Sequence, residues 1–147
     1  MRIFITGCKG QLGRTLNQAL TAHTLTGCDL PETDITDRQA ITSAVTVFDP
    51  DVVIHAAAWT DVDGCARDPE KAYRVNAPGT QNVALACAAS GAALVTISTN
   101  EVFDGTADRP YREWDAPHPI NPYARSKAAA EWFTRHLLNR FYIVRTA

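Results

Sequence analysis

The sequence predicts an α/β protein built on a doubly wound parallel sheet with helices on both faces. Two observations carry this. Short, continuously apolar runs of strand length alternate with segments of helical period, and one helical segment carries small residues along the face that would meet a sheet. The runs fall at residues 2–6, 25–28, 52–55, 93–98 and 141–146. Between the first two, Leu12, Leu16, Ala19 and Leu20 make a helical stripe, and Ile41, Ala44, Val45 and Phe48 make a second before the third run. Val75, Gly79, Val83, Ala86, Cys87 and Ser90 form a third, whose small side chains let the helix approach closely. Ala130, Phe133 and Leu137 form the last. Residues 100–121 show no apolar period and are interrupted by Pro110, Pro117 and Pro119, which predicts a long loop, either functional or disordered.

At 147 residues the chain is the size of one domain. Such a chain buries about two thirds of its unfolded surface without disulfides or metal. Its net charge is -2, with acidic and basic residues interleaved, so there is no basic stripe for nucleic acid or an acidic membrane. No stretch approaches a membrane span, and the apolar run Ile3-Phe4-Ile5 is closed at once by Gly7, too short for a secretory signal. Cysteines at 8, 28, 65 and 87 lack CxxC spacing, which suits free thiols in the cytoplasm. The four histidines show no metal-ligand pattern, so no metal is expected, and His55 reads as a strand-end residue.

The first strand runs into T-G-C-K-G-Q-L-G, with Gly7, Gly10 and Gly13 ahead of a helix. Such a turn either packs strand tightly on helix or lets backbone N–H groups meet a pyrophosphate where the helix dipole favours an anion. Asp29, after the second strand, is placed to bond adenosine ribose hydroxyls, and with Glu32 it would repel a 2'-phosphate that Lys9 could offset. In D-I-T-D, Asp34 could accept from an adenine amino group while Ile35 packs on the ring. Thr36 or Asp37 would serve equally as a helix cap. In H-A-A-A-W-T, Ala56, Ala57 and Ala58 leave room for a flat ligand or pack strand on helix, and Thr60 follows. Thr99 arrives at the same carboxyl edge. In open parallel sheets that edge is where ligands bind, and one ligand explains all these placements together.

N-P-Y-A-R-S-K, residues 121–127, is a capped helix start with Asn as N-cap and Pro at the first position. It also puts Tyr123 and Lys127 on one helix face. Beside a nicotinamide, Tyr123 could give a proton to the carbonyl receiving the hydride. Lys127 would draw the phenol toward neutrality and hold the cofactor ribose, while the Thr99 hydroxyl would orient the carbonyl.

G-x-x-G-x-x-G, the acid after strand two, D-I, A-A-A, N-A-x-G-T at 76–80, S-T and Y-x-x-x-K together resemble the extended short-chain dehydrogenase/reductases. S-T-N-E-V-F-D-G at 98–105, Pro110-Tyr111 with Glu113, and the run from N-P-Y-A-R-S-K into A-A-E-W are similar to the dTDP-4-dehydrorhamnose reductase family. The resemblance spans nearly the whole chain. It implies a Rossmann-like fold and NADPH- or NADH-dependent reduction of the 4-keto group of dTDP-4-dehydro-L-rhamnose, a dTDP-4-keto-6-deoxy sugar. It makes Thr99, Tyr123 and Lys127 the catalytic triad. Gly10, Gln11 and Leu12 then hold the pyrophosphate, Asp29 the ribose, Asp34 and Ile35 the adenine, and Ala58 to Thr60 the nicotinamide side. Asn100 and Glu101 would meet substrate, although many members carry Asp-Tyr there.

Members of this family run to nearly twice this length, and V-R-T-A would lie on a sixth strand. Residues 1–147 are therefore expected to be the NAD(P)-binding domain, either a truncated form or a split or decayed gene product, binding NAD(H) weakly and turning over poorly if at all. A homodimer stays open. Two other readings stand beside it: another nucleotide-sugar epimerase or dehydratase, and a non-catalytic, NAD(P)-binding regulatory subunit of the same branch.

Overall fold

A computed structural model describes residues 1–147. Strands β1 (Arg2–Thr6), β2 (Thr24–Cys28), β3 (Val52–His55), β4 (Ala93–Thr99) and β5 (Phe141–Thr146) form one parallel sheet in the order β2-β1-β3-β4-β5. The helices are α1 (Gln11–Ala19), α2 (Arg38–Phe48), α3 (Val62–Arg67), α4 (Pro69–Ser90) and α5 (Pro122–Leu137). The five apolar runs are the five strands, so V-R-T-A lies on the fifth and not a sixth. The order reverses direction beside β1, the switch point that opens a crevice at the strand carboxyl ends.

Right-handed crossovers put α2, α4 and α5 on one face and α1 on the other. Phe4, Val53 and Leu94 of the sheet, Ile41 and Val45 of α2, and Val83, Ala86 and Cys87 of α4 close the main core between them. With no helix beside it, α1 leaves Leu12 40% exposed, so the stripe read through Leu12 is only partly covered. On that same face Tyr142 and Val144 of β5 are exposed. No helix is long and apolar enough to cross a membrane, and no cluster of His, Cys, Asp and Glu has the makings of a metal site.

The loop expected at 100–121 is ordered by its own polar contacts after a 3-10 turn, Asn100–Val102. Asp104 accepts from Tyr111 Oη at 2.7 Å and from the Thr106 amide at 3.1 Å, and it pairs with His118 Nδ1 at 2.9 Å. These bonds hold its carboxyl well below the usual range. Phe103 stacks on Tyr111 at 4.2 Å, and Arg109 forks onto Asp115 at 2.8 and 2.9 Å.

Candidate active site

Gly7 sits at φ +70, a left-handed conformation that favours glycine, and a Cβ there would lie 2.7 Å from the Ala57 amide nitrogen. A Cβ on Gly13 would collide with the Gly7 carbonyl and come within 2.7 Å of Cys8 Cα, so this glycine is what lets α1 start directly on the loop. Gly10 caps α1 without a side-chain hydrogen bond. The amides of Gln11, Leu12 and Gly13 donate to no protein acceptor. Three free N–H groups at the positive end of a helix dipole, outside the first strand, make an anion cradle.

A cleft of about 350 Å³ opens beside this turn, walled by Gly7, Asp29, Asp34, Ala57 and Ala58 among others. Asp29 accepts from the Lys9 amide and the Leu30 amide, both at 2.8 Å, so the carboxylate is held against the glycine loop. Asp34 accepts from the Thr36 amide at 2.8 Å, while Asp37 is the α2 cap, accepting from Gln39 and Ala40. Ile35 lines the same cleft beside Asp34, 7% exposed and with its side chain packed on Gly79 of α4. The Lys9 ammonium pairs with Glu32 at 2.6 Å, which offsets that carboxylate at the rim of the cleft. Lys71 and Arg74 of α4 also wall the cleft, with Lys71 Nζ 4.4 Å from the centre of the Trp59 ring. Sequence reasoning missed both, since they stand on the polar side of a helix whose apolar stripe faces elsewhere.

Ala56, Ala58 and Thr60 wall a second cleft of about 250 Å³ together with Thr99, Asn100, Glu101, Tyr123 and Lys127. Ala58 is common to both clefts, so they adjoin along the carboxyl edge of the sheet. The segment carrying the alanines is held by Asn76, which is 1% exposed. Asn76 Oδ1 accepts from the Trp59 amide at 2.8 Å, and Nδ2 donates to the Trp59 carbonyl at 3.0 Å and to Ser126 Oγ at 2.9 Å. Ser126 in turn donates to the Tyr123 carbonyl at 2.7 Å. One amide therefore ties the alanine segment to the helix that carries Tyr123. His55 fastens the layer beneath. Thr80 Oγ1 donates to the Asn76 carbonyl at 2.6 Å, so it accepts from His55 Nε2, which leaves Nδ1 to accept from Thr6 Oγ1 at 2.6 Å. Burial holds this imidazole neutral, its pKa pushed down to about 3.

Asn121 caps α5 by accepting from the Ala124 amide at 2.8 Å, and its Nδ2 donates to Glu101 Oε2 at 2.8 Å. That start sets Tyr123 in the first turn with Lys127 one turn on. Glu101 Oε2 is thereby engaged with the cap, and Asn100 Oδ1 accepts from Thr99 Oγ1 at 3.4 Å. Lys127 is 4% exposed and donates from Nζ to the Ile97 carbonyl at 2.7 Å. Desolvation draws its pKa down to about 8, against an upward pull from Glu131. The phenol of Tyr123 departs from expectation: burial raises its pKa, the Thr99 hydroxyl pulls it down, and Glu101 and Cys65 add to the rise. Lys127 does not bring the phenol toward neutrality in this arrangement, because its ammonium is directed at a backbone carbonyl.

The family model described as "RmlD substrate binding domain" matches residues 1–147. The chain belongs to this family. Its relatives include dTDP-4-dehydrorhamnose reductases of Mycolicibacterium smegmatis, 43% identical over 99% of this chain, and of Aggregatibacter actinomycetemcomitans, 38% identical over 99%. These matches cover 45% and 51% of those relatives, so the chain spans about half the length of the curated relatives it matches. Among solved structures, a dTDP-4-dehydrorhamnose reductase from Bacillus anthracis in complex with NADP superposes with a TM-score of 0.95 at 40% identity, over 98% of this chain and 52% of that one. A UDP-glucose 4-epimerase of Thermus thermophilus in complex with NAD superposes at 0.84 with 28% identity, over 92% of this chain and 50% of that one. The Rossmann-like fold of the RmlD family is therefore the fold of this chain.

Proposed function

We propose that residues 1–147 form the dinucleotide-binding part of an NAD(P)H-dependent reductase. Its reaction would convert the 4-keto group of dTDP-4-dehydro-L-rhamnose to the alcohol of dTDP-L-rhamnose, in the cytoplasm. The observation that carries the reading is the meeting of Thr99, Tyr123 and Lys127 in one cleft that adjoins the cleft beside the glycine turn. The names of the relatives support the substrate, and the NADP and NAD complexes among the similar structures support the cofactor. Four free cysteines suit a reducing compartment.

The donor set fits a dinucleotide. The amides of Gln11, Leu12 and Gly13 would receive the pyrophosphate, Asp29 and Asp34 would stand at the adenosine end, and Ala56, Ala58 and Thr60 would border the nicotinamide. When bound, NAD(P)H supplies the hydride. Tyr123, kept protonated by its raised pKa, donates its phenolic proton to the substrate oxygen as charge develops there. The Thr99 hydroxyl orients that oxygen, and Lys127 would hold the ribose. A dehydratase would need a free acid/base pair beside Thr99. Here the neighbours are the amide of Asn100 and a Glu101 bonded to Asn121.

The relatives are about twice as long, so the full rate is proposed for a protein of their length, and the 147-residue chain is expected to bind NADH weakly and turn over slowly. The test is Tyr123→Phe, followed by NADH fluorescence for binding and by NADH consumption with the keto-sugar for turnover. Turnover is expected to fall about 10²–10⁴-fold with the cofactor still bound. Unchanged turnover in the variant would refute the role of Tyr123, and failure of the parent chain to bind NADH at all would refute the whole reading.

A further inference from the structure

Behind the candidate site, on the side away from the cleft, lies a buried ionic cluster centred on Glu131. This residue follows Lys127 by one helical turn, is 2% exposed, and every approach to its carboxylate is taken. Ser98 Oγ donates to Oε1 at 2.7 Å, Arg145 Nε donates to Oε1 at 2.8 Å, Arg145 Nη2 donates to Oε2 at 2.6 Å, and Arg135 Nη2 lies 3.4 Å from Oε2. Arg145 is itself held with its guanidinium 4.8 Å from the centre of the Phe103 ring. A full ionic set of this kind is expensive to bury and is a weak source of net stability, which directs attention to what else it does.

Its partners give the answer. Three consecutive residues of β4 each meet α5 at a different turn: the Ile97 carbonyl receives Lys127, Ser98 holds Glu131, and the Thr99 hydroxyl acts on Tyr123. Arg145 anchors the same carboxylate from β5, one residue before Thr146, whose register partner is Thr99. We propose that Glu131 is a positioning residue for the Tyr123 and Lys127 pair, locking α5 to the carboxyl ends of β4 and β5. The proposal rests on the reductase reading for its functional meaning, but its physical content does not.

The charge balance around Lys127 singles out Glu131. From β3, His55 is neutral; from α3, Cys65 carries a thiol raised by burial; and within α5, Tyr123 is a raised phenol. Glu101, from the 3-10 turn, is bonded to Asn121, and Arg145 brings a like charge from β5. Burial pushes the Glu131 carboxyl up, yet the hydrogen bonds from Arg145 and Ser98 outweigh that and keep it ionised. Glu131 is thus the carboxylate that pulls the Lys127 pKa upward against desolvation.

The chain has only three lysines, at 9, 71 and 127, so a spectrum of the whole chain labelled with ¹³C at lysine Cε contains three titrating signals. Lys127→Arg assigns the third. The Lys127 signal should titrate near 8 in the parent chain without cofactor. Glu131→Gln keeps the shape and removes the charge, and should lower that midpoint by about one pH unit, a tenfold change in the protonated fraction. Arg145→Gln removes the guanidinium that keeps the Glu131 carboxylate ionised, and should lower the midpoint as well. A merely structural Glu131 would change thermal stability in both variants and move neither midpoint. An unchanged midpoint in Glu131→Gln overturns the proposal. An unchanged or raised midpoint in Arg145→Gln overturns it separately, so the test survives a Glu131→Gln chain that does not fold. A parallel NADH titration separates the two readings: midpoints that move without NADH binding sustain the positioning role and sink the reductase, and NADH binding with fixed midpoints does the reverse.

Discussion

Replacing Asn76 with alanine tests how the alanine segment is held in place. The substitution deletes three hydrogen bonds at 2.8, 3.0 and 2.9 Å, and leaves the Trp59 amide without a partner and its carbonyl with only the Cys65 thiol at 3.6 Å. A hydrogen bond contributes about 1 kcal/mol net, and a buried polar group left unpaired costs about 1–3 kcal/mol. Trp59 is only half-buried, so water compensates part of this, and the sum comes to about 3 kcal/mol. For a chain of this size that is a fall of roughly 6–12 °C in Tm. Urea unfolding followed by circular dichroism measures it. The same variant should weaken NADH binding, because residues 56–60 wall both clefts. A loss of stability below about 1 kcal/mol would show that the alanine segment is held by its own backbone contacts, and the reasoning that joins Asn76 to the site would fail.

The glycines offer a contrast. Gly13→Ala presses Cβ into the backbone of residues 7 and 8, whereas Gly79→Ala meets only the side chain of Ile35, with Cδ1 at 2.8 Å. Gly13→Ala should cost about 1–3 kcal/mol and abolish NADH binding, while Gly79→Ala should cost less and leave binding intact, as unfolding and fluorescence titrations will report. His55 predicts a pH dependence. Its folded pKa is depressed from 6.5 to about 3, so the unfolded chain takes up a proton that the folded one refuses. Its contribution to stability is whole above pH 6.5 and is lost as pH falls toward 3, by up to about 1.4 kcal/mol per unit. Urea midpoints at pH 7 and pH 5 check this, and His55→Gln should flatten the difference.

What the sequence made legible was whatever local pattern decides. The strands are apolar runs whose core-facing side chains meet α2, α4 and α5, and α2 and α5 start where Asp37 and Asn121-Pro122 say. The short helix α3 escaped notice because Val62-Asp63-Gly64-Cys65-Ala66-Arg67 is too brief and too polar to show a period; it stands on the Asp61 cap, which accepts from the Gly64 amide at 2.9 Å. The order within the loop at 100–121 comes from Asp104 gathering Thr106, Tyr111 and His118, pairings that no periodicity encodes. The meeting of Thr99, Tyr123 and Lys127 in one cleft follows from topology, since parallel strands deliver their carboxyl ends to a common edge. The state of Tyr123 was not legible, because it depends on where the Lys127 ammonium points and how deeply the phenol is buried. Glu131 and Arg145 lie 14 residues apart on different elements, and only the β4–β5 register brings them together.

The central claim is that a dinucleotide lies from the glycine turn to Tyr123 along the carboxyl edge of the sheet. A titration of the ¹⁵N-labelled chain with NADH, followed by amide shifts, tests it most directly and tolerates weak binding. Saturable shifts of the Gln11, Leu12 and Gly13 amides, together with those of Ala58 and Tyr123, are the predicted result. Shifts confined to one cleft, or none that saturate, would contradict it.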